Sequence, residues 1–312
     1  MQTIYSDNII SLPAGRTCVT VGTFDGVHLG HAEILRFLKS VSVQNQLDSV
    51  VFTFGTHPRY VLNEDASDLK ILTTLSEKAH LISRFGIDHL YVQDFTTEFS
   101  SLHAEAFVAE ILVGKLKMKS LVVGHDHLFG KDRSGNFALL SELSDKYGFS
   151  LIQIPAISSS GFNISSTKIR NLLAASDVQM ANDMLGYHYS FTGEVIKGFG
   201  IGRELGFPTA NLKLPDPQKI MPAPGVYIIK AIHESEKFEG IINIGSRPTF
   251  EGDGTHIEAH LFDFDKVVYG EQLTIEFLLF LRSEIKFSSR EELISQIRKD
   301  RDSAFKYFGR IC

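Results

Sequence analysis

Cysteine is scarce in this 312-residue chain. There are two, Cys18 and Cys312, and no CxxC pair, which excludes a disulfide framework and a cysteine zinc site. A basic excess is missing as well. Residues 1–182 carry 15 Lys and Arg against 18 Asp and Glu, and residues 183–312 carry 16 against 19, so the net charge of −6 is split evenly. Gripping a nucleic-acid backbone takes a cationic surface, so nucleic acid is not an expected partner; a small phosphorylated ligand needs only a local positive site. Long apolar runs are absent too. The densest, "LTIEFLLFL", contains a glutamate and falls far short of the ~20 residues that span a bilayer. The N-terminus "MQTIYSDNIISLPAG" has neither the basic start nor the apolar core of a signal peptide. A soluble cytoplasmic protein without membrane contact is expected. Finally, no GxxxxGK[ST] loop occurs, and the glycines of residues 193–215 are not spaced GxGxxG.

What is present suggests two domains, at roughly 150 residues each. Between residues 16 and 175, short β-rich runs (17–22, 49–54, 89–92, 120–124, 150–154) alternate with helical patterns. "TTLSEKAHLISRFG" offers Thr74 and Glu77 as a capping box and Gly86 as a stop, and "LHAEAFVAEILVG" is expected to end at Gly114. Apolar strands alternating with amphipathic helices imply a parallel sheet covered on both faces, with ligands beyond the carboxyl ends of its strands. From about residue 186 the pattern becomes "YSFTGEVI", "GVYIIKAI", "FEGIINIG", "HIEAHLFDF" and "EQLTIEFLLFL". These are strands joined by Gly-, Pro- and Asp-rich turns, as in an antiparallel barrel or sandwich. A last helix starts at a capping box of Ser289 and Glu292, and its Leu293, Ile297, Ala304 and Phe308 can pack on the barrel. The expected boundaries are 1–182 and 183–312.

The first strand runs into "VTVGTFDGVHLGHAEIL", Val19 to Leu35, where His28 and His31 stand three apart at a strand-to-helix turn. Three readings compete: a metal pair with Asp25, a phosphate site, or a plain surface turn. Gly30 between the histidines is poor for a rigid ligand pair but lets a ligand approach the backbone, and a helix N-terminus favours an anion. Phosphate is preferred.

"GTFDGVHLGH" resembles the HxGH signature of the nucleotidyltransferase superfamily, in which the histidines line the ATP triphosphate. "ISSTKIR" (164–170) resembles that superfamily's second phosphate motif, and "VGHDHLFG" (123–130) and "TFGTHPR" (53–59) resemble two segments of its flavin enzymes. Together they are similar to the adenylyltransferase half of bacterial bifunctional riboflavin kinase/FAD synthetases. The resemblance implies ATP contacts from Gly22, Thr23, Phe24, Asp25, Gly30, Asp126, Ser165, Ser166, Thr167 and Lys168, catalysis by His28, His31 and Arg170, and flavin contacts from His57 and Pro58. Asp126 could hold nucleotide or magnesium, or simply form a turn. An FMN phosphate oxygen attacking the α-phosphorus of ATP is already anionic, so no base is required; donors or cations for the phosphates and for the pyrophosphate leaving group are.

The second dense segment is "GEVIKGFGIGRELGFPTANLKLP", Gly193 to Pro215. Thr209 and Asn211 present side-chain oxygens two apart, on one side of an extended chain, against the alternative of a functionless barrel turn. The segment resembles the riboflavin kinase signature, and the similarity continues through "PAPGVYIIKA", "NIGSRPTF", "IEAHLFDFDKVVYG", "FLRSEIKF" and "LISQIRKD". It implies that Thr209 and Asn211 hold Mg–ADP or Mg–ATP, that a flap including Gly198, Gly202 and Arg203 closes on the phosphates, and that Glu258 is the base for the ribityl hydroxyl. A hydroxyl nucleophile does need a positioned carboxylate, although a glutamate between Ile257 and Ala259 could also face solvent. Arg282 and Glu284 are expected to order the barrel or shape the flavin pocket, and Arg298 and Asp300 to be structural or flavin-side.

The expectation is therefore an α/β parallel-sheet, Rossmann-like HxGH nucleotidyltransferase domain followed by an antiparallel β-barrel riboflavin kinase domain with a C-terminal helix. Riboflavin would be phosphorylated to FMN and FMN adenylylated to FAD, with Mg2+ and ATP. The partners would be these small molecules, and self-association is admitted beside them. Thr56, where the family usually has proline, and Leu128, where it more often has arginine, set up the rival of a kinase with an impaired or redirected first domain. A different HxGH substrate, a non-catalytic flavin-binding regulator and a zinc protein are the other rivals.

Overall fold

The computed structural model describes residues 1–7, 16–62, 69–124, 128–130, 134–154, 164–198, 200–214, 216–246 and 255–310. The chain forms two compact units, Met1–Ser166 and Thr167–Cys312.

The first unit is built on six parallel strands, β1 (Gln2–Tyr5), β2 (Thr17–Val21), β3 (Asp48–Phe54), β4 (His89–Gln93), β5 (Met118–Val123) and β6 (Ser150–Gln153), in the order β1-β4-β3-β2-β5-β6. The five strands expected from the sequence all form. The edge strand β1 is an addition, because four residues of mixed burial give no readable period. Alternation along the strands feeds two cores. Val19, Val21 and Phe52 pack on one face with Phe107 and Leu121, whereas Cys18 and Val51 pack on the other with Leu35, Leu38 and Leu90. Burial pushes the Cys18 thiol up to about 12, so it is inert packing. Beyond β2 the chain winds outward on both sides, which makes β2/β5 the switch point and places the ligand crevice at their carboxyl ends.

Helix Leu75–Ser83 starts at the expected box: the Thr74 amide donates to Glu77 Oε2 (2.8 Å) and the Glu77 amide to Thr74 Oγ1 (3.3 Å). Gly86 adopts φ 69°. The next helix departs from expectation. It does not stop at Gly114 but continues as a wide turn, Phe107–Lys115, with the Leu116 amide reaching back to the Ile111 carbonyl at 2.9 Å. A Cβ on Gly114 would lie 3.1 Å from the Ala109 carbonyl oxygen. This glycine therefore relieves the crowding of a π-type turn rather than terminating the helix.

The second unit contains a closed antiparallel barrel of β7 (Ser190–Ile196), β8 (Ala210–Lys213), β9 (Gly225–His233), β10 (Glu236–Ser246), β11 (Thr255–Leu261) and β12 (Gln272–Arg282), in the cyclic order β10-β11-β8-β7-β12-β9. Tyr189, Phe191, Tyr227 and Phe277 fill its interior. Helix Val178–Leu185 is tied to it through Asn182, whose amide donates to the Phe277 carbonyl (2.9 Å) and accepts from the Tyr189 amide (2.6 Å). Helix Arg290–Tyr307 is capped by Ser289, which accepts from the Glu292 amide (3.2 Å), while Glu292 reaches back to Ser288 rather than to Ser289. Ala304 is buried against the barrel and Phe305 stands edge-on to Phe262 at 4.8 Å.

Candidate functional sites

In the first unit the loop after β2 is held in a strained path. Phe24 (φ 48°), Gly26 (φ 80°) and Val27 (φ 35°) all lie in the left-handed region, a conformation that persists in non-glycine residues only when the surroundings enforce it. Asp25 supplies the enforcement. Its buried carboxylate accepts from the Leu72 amide (2.9 and 3.1 Å), the Thr73 amide (3.0 Å) and the Thr73 hydroxyl (3.3 Å), and Thr73 Oγ1 in turn accepts from the Gly26 amide at 3.0 Å. Asp25, expected beside ATP, thus has its carboxylate engaged by backbone amides. The Phe24 ring folds back over Gly22, where a Cβ would come within 2.9 Å of it, and lies 5.1 Å from the His31 ring. The Thr23 carbonyl accepts from Thr53 Oγ1 at 3.1 Å.

His28 is the N-cap of helix Leu29–Gln44, and its Nδ1 accepts from the His31 amide at 3.3 Å. The two imidazoles stack at 3.7 Å with 14° between their planes. Gly30 makes room for this, since a Cβ there would stand 3.2 Å from the His28 ring. Ring nitrogen lone pairs lie in the ring plane, so two nearly parallel rings do not converge on one ion, which is poor geometry for a zinc pair. The amides of Leu29 and Gly30 have no protein acceptor among the described residues, which leaves the positive end of the helix open to an anion. Burial drives the His28 imidazole down to about 4 against the raising effect of Asp25, and burial, then His28, then Lys78, drive His31 well below its usual value. At neutral pH both rings are uncharged, so they act as N–H donors rather than as cations.

Ser166 Oγ donates to the Asp25 carbonyl at 2.9 Å, joining the "SST" segment to the loop. Ser165 is exposed just ahead of helix Ser166–Ala174. Thr167, Lys168 and Arg170 continue that helix within the second unit, where Arg170 Nη2 stands 3.5 Å from Thr167 Oγ1. His57 Nδ1 accepts from the Arg59 amide (3.3 Å), and Pro58 opens the short helix Pro58–Leu62, the position where its missing amide costs nothing. Thr56 and Leu128 are exposed. Asp126 lies outside the described residues.

In the second unit the barrel register assembles a candidate site. Asn211 of β8 stands directly opposite Glu258 of β11, and Glu258 directly opposite Asn243 of β10. Residues directly opposite in antiparallel strands project from the same face, so these three side chains form a row. Asn243 escaped the sequence reading; the signal was an asparagine alternating with isoleucines in "INIG". Two glycines press on the row and on Thr209 beside it. A Cβ on Gly198 would lie 2.1 Å from Asn211 Nδ2, and one on Gly202 3.0 Å from Thr209 Oγ1. Arg203 is exposed on the short helix Ile201–Glu204. Glu258 pairs with His256 Nε2, two residues away on the same face. Glu284 approaches the other end of the row: a Cβ on Gly245 would meet Glu284 Oε1 at 2.5 Å and Asn243 Nδ2 at 3.4 Å. Arg282 instead binds buried Asp300 through Nε (3.0 Å) and Nη2 (2.7 Å), with Gln296 adding a bond at 2.8 Å. This fork fastens the end of β12 to the last helix. Elsewhere His233, Glu234 and Glu271 bring one ligand atom each within 4.8 Å of one another, a set able to hold a cation.

Comparison with known proteins agrees with both halves. A family model described as FAD synthetase matches residues 12–168, and one described as riboflavin kinase matches residues 185–308. The chain is 38% identical over 293 residues to the bifunctional riboflavin kinase/FMN adenylyltransferase of Haemophilus influenzae, covering 93% of this chain and 94% of that protein. It is 36% identical to the Bacillus subtilis protein of the same description, over all of this chain and 99% of that one. A solved structure from Streptococcus pneumoniae, described as a macrolide-efflux protein, is 31% identical and superposes with a TM-score of 0.89 over 97% of this chain and 99% of its own. Among the described residues no helix is long and apolar enough to cross a membrane. Each half matching its own family, and the whole length matching proteins that join the two, the chain belongs to the bifunctional riboflavin kinase/FMN adenylyltransferase family.

Proposed function

We propose that the barrel unit phosphorylates riboflavin to FMN with Mg–ATP, and that the α/β unit transfers an adenylyl group from ATP to FMN, giving FAD and pyrophosphate. The observation that carries this reading is the register that sets Asn211 opposite Glu258. It puts a hard oxygen ligand beside a carboxylate, the pair that a kinase acting on an alcohol requires.

The residues present suit a magnesium ion. The Thr209 hydroxyl and the Asn211 amide are neutral oxygen donors, each with a glycine where any Cβ would crowd it; magnesium favours such oxygens and completes its shell with phosphates and water. When bound, the ion neutralises phosphate charge. Glu258, held in place by His256, accepts the proton of the ribityl hydroxyl as its oxygen bonds to the γ-phosphorus and ADP leaves. In the α/β unit an FMN phosphate oxygen attacks the α-phosphorus of ATP. The uncharged His28 and His31 and the amides opening helix Leu29–Gln44 donate to the phosphates as the pyrophosphate departs. The reactions use small molecules of the cell interior, which supports a cytoplasmic enzyme.

The test supplies riboflavin, ATP and magnesium to the wild type and to Glu258→Gln and resolves the flavins by chromatography. The wild type should form FMN and then FAD. Glu258→Gln should lose about 10³-fold in riboflavin phosphorylation while still converting supplied FMN to FAD. A wild type that stops at FMN would make Thr56 and Leu128 decisive and leave the first unit impaired or redirected. No flavin turnover at all would favour a binding protein.

A further inference from the structure

Lys78 is a buried ammonium that the proposed chemistry does not use. It projects from helix Leu75–Ser83 and donates to Thr53 Oγ1 and to the Phe54 carbonyl, each at 3.3 Å, at the carboxyl end of β3. It is 8% exposed, and among the described residues it forms no ion pair. The nearby opposite charge is Asp25, whose oxygens are engaged by the amides of Leu72 and Thr73. Placing a cation in such a spot is costly unless something requires its charge there.

The surroundings indicate what requires it. Thr53 Oγ1, which receives the Lys78 bond, itself donates to the Thr23 carbonyl at 3.1 Å. The segment 72–78 therefore grips the histidine loop twice, at Asp25 through Leu72 and Thr73, and at Thr23 through Lys78 and Thr53. We propose that Lys78 is a positioning residue for adenylyl transfer, which braces the loop of Thr23 through the Thr53 hydroxyl and keeps a positive charge behind the stacked imidazoles. The proposal rests on the adenylyltransferase reading above. The titratable groups facing the ammonium are Asp25 from the loop and His31 from helix Leu29–Gln44, with His28 stacked beyond it. Burial brings the amine down to about 8, with Asp25 opposing, so the charge is present at neutral pH. That charge is one cause of the low His31 value; it preserves the neutral ring as a donor.

Three variants in the full chain test this: Lys78→Met, Lys78→Arg and Thr53→Val. For Lys78→Met we expect kcat for FMN adenylylation to fall about 10²-fold, the cost of a loop misplaced by about an ångström. The KM for ATP should stay within about threefold, and riboflavin phosphorylation by the same molecules should be unchanged. The acid limb of the adenylylation pH profile should move to higher pH, and His31 followed by NMR should titrate higher. Thr53→Val cuts the brace but keeps the charge, so it should lower kcat while leaving the acid limb in place. Lys78→Arg should return the limb to its wild-type position. Wild-type rates and profile in Lys78→Met would overturn the proposal, as would a change confined to the KM for ATP, which would mean that the amine touches phosphate directly. If Lys78→Met does not fold, Thr53→Val and Lys78→Arg decide alone: unaltered kcat in Thr53→Val, or an acid limb displaced in Lys78→Arg, refutes it. A wild type without FMN adenylylation would sink the function reading instead, and the His31 titration would still report on Lys78.

Discussion

Replacing Gly198 by alanine should disable the kinase while barely disturbing the fold. A Cβ at this position would stand 2.1 Å from Asn211 Nδ2, 2.5 Å from Cγ and 2.9 Å from Oδ1, so the whole amide must turn aside. Gly198 is not in the left-handed region, and alanine there adds no backbone strain. Asn211 is 7% exposed, so its escape is partial, and overpacking of this kind costs about 1–2 kcal/mol. Function is more sensitive, because a proposed metal ligand displaced by an ångström can cost about 10²-fold in rate. Gly200 makes the control. It has φ 76° with nothing within 4 Å of a Cβ, so Gly200→Ala pays only a conformational cost of about 1 kcal/mol. The assay is riboflavin phosphorylation at saturating Mg–ATP, with FMN adenylylation by the same preparation as the internal standard. Gly198→Ala should lose about 10²-fold in the first and nothing in the second. A Gly198→Ala enzyme that phosphorylates normally while Gly200→Ala is impaired would refute the reasoning, since clearance around Asn211 would then not matter.

Two further outcomes follow from buried charge. His28 binds its proton less readily folded (about 4) than unfolded (6.5), so the unfolded state takes up more protons between those values and stability falls as pH drops through that window; at about 1.4 kcal/mol per pKa unit the loss approaches about 3 kcal/mol. His31 acts in the same direction. The protection factors of the helix Leu29–Gln44 amides, taken against the intrinsic exchange rate at each pH, should fall accordingly from pH 6.5 to 4, and His28→Asn, which keeps a capping side chain, should flatten the dependence. In the barrel, Asp300→Ala leaves the Arg282 fork without its carboxylate and should cost about 3 kcal/mol, read from denaturant unfolding of the second unit; a loss under about 0.5 kcal/mol would assign the pair no structural weight.

Much of this architecture was readable because its signals are local. The five core strands of the first sheet announce themselves by apolar runs, and Thr74 and Ser289 mark helix starts through capping chemistry that involves only three or four residues. What escaped depends on distant partners. The four residues of β8 carry no period of their own and become a strand because β7 and β11 flank them. Asn243 joins the site only through register with Glu258. Gly114 looks like a helix stop, yet the Ala109 carbonyl uses its bareness inside a wide turn. Asp25 and Lys78 illustrate the same limit in the site itself. An acid beside two histidines suggests a ligand contact, and only the fold reveals amides from residues 72 and 73 around it. A lysine in an amphipathic helix suggests a solvated face, and only the fold buries it beneath Thr53.

The two units place their carboxylates in opposite ways, and the proposed chemistry explains why. Adenylyl transfer starts from a phosphate oxygen that is already an anion, so a free carboxylate near it would only repel the nucleophile. The acid of that loop, Asp25, is buried and ringed by protein donors, and the groups that the proposal assigns to the phosphates are amides and uncharged imidazole N–H donors, with an ammonium behind them. Riboflavin phosphorylation starts from an alcohol, whose proton must go to an acceptor. There the carboxylate of Glu258 keeps a third of its surface exposed and is steadied by one histidine, level with the oxygen ligand that would hold the metal. In the proposed chemistry a carboxylate serves as scaffold where the nucleophile is anionic and as base where it is neutral. Exchanging the roles would fail on both sides: Glu258 ringed by amides could not take a proton, and Asp25 released from Leu72 and Thr73 would leave the left-handed residues of its loop unsupported.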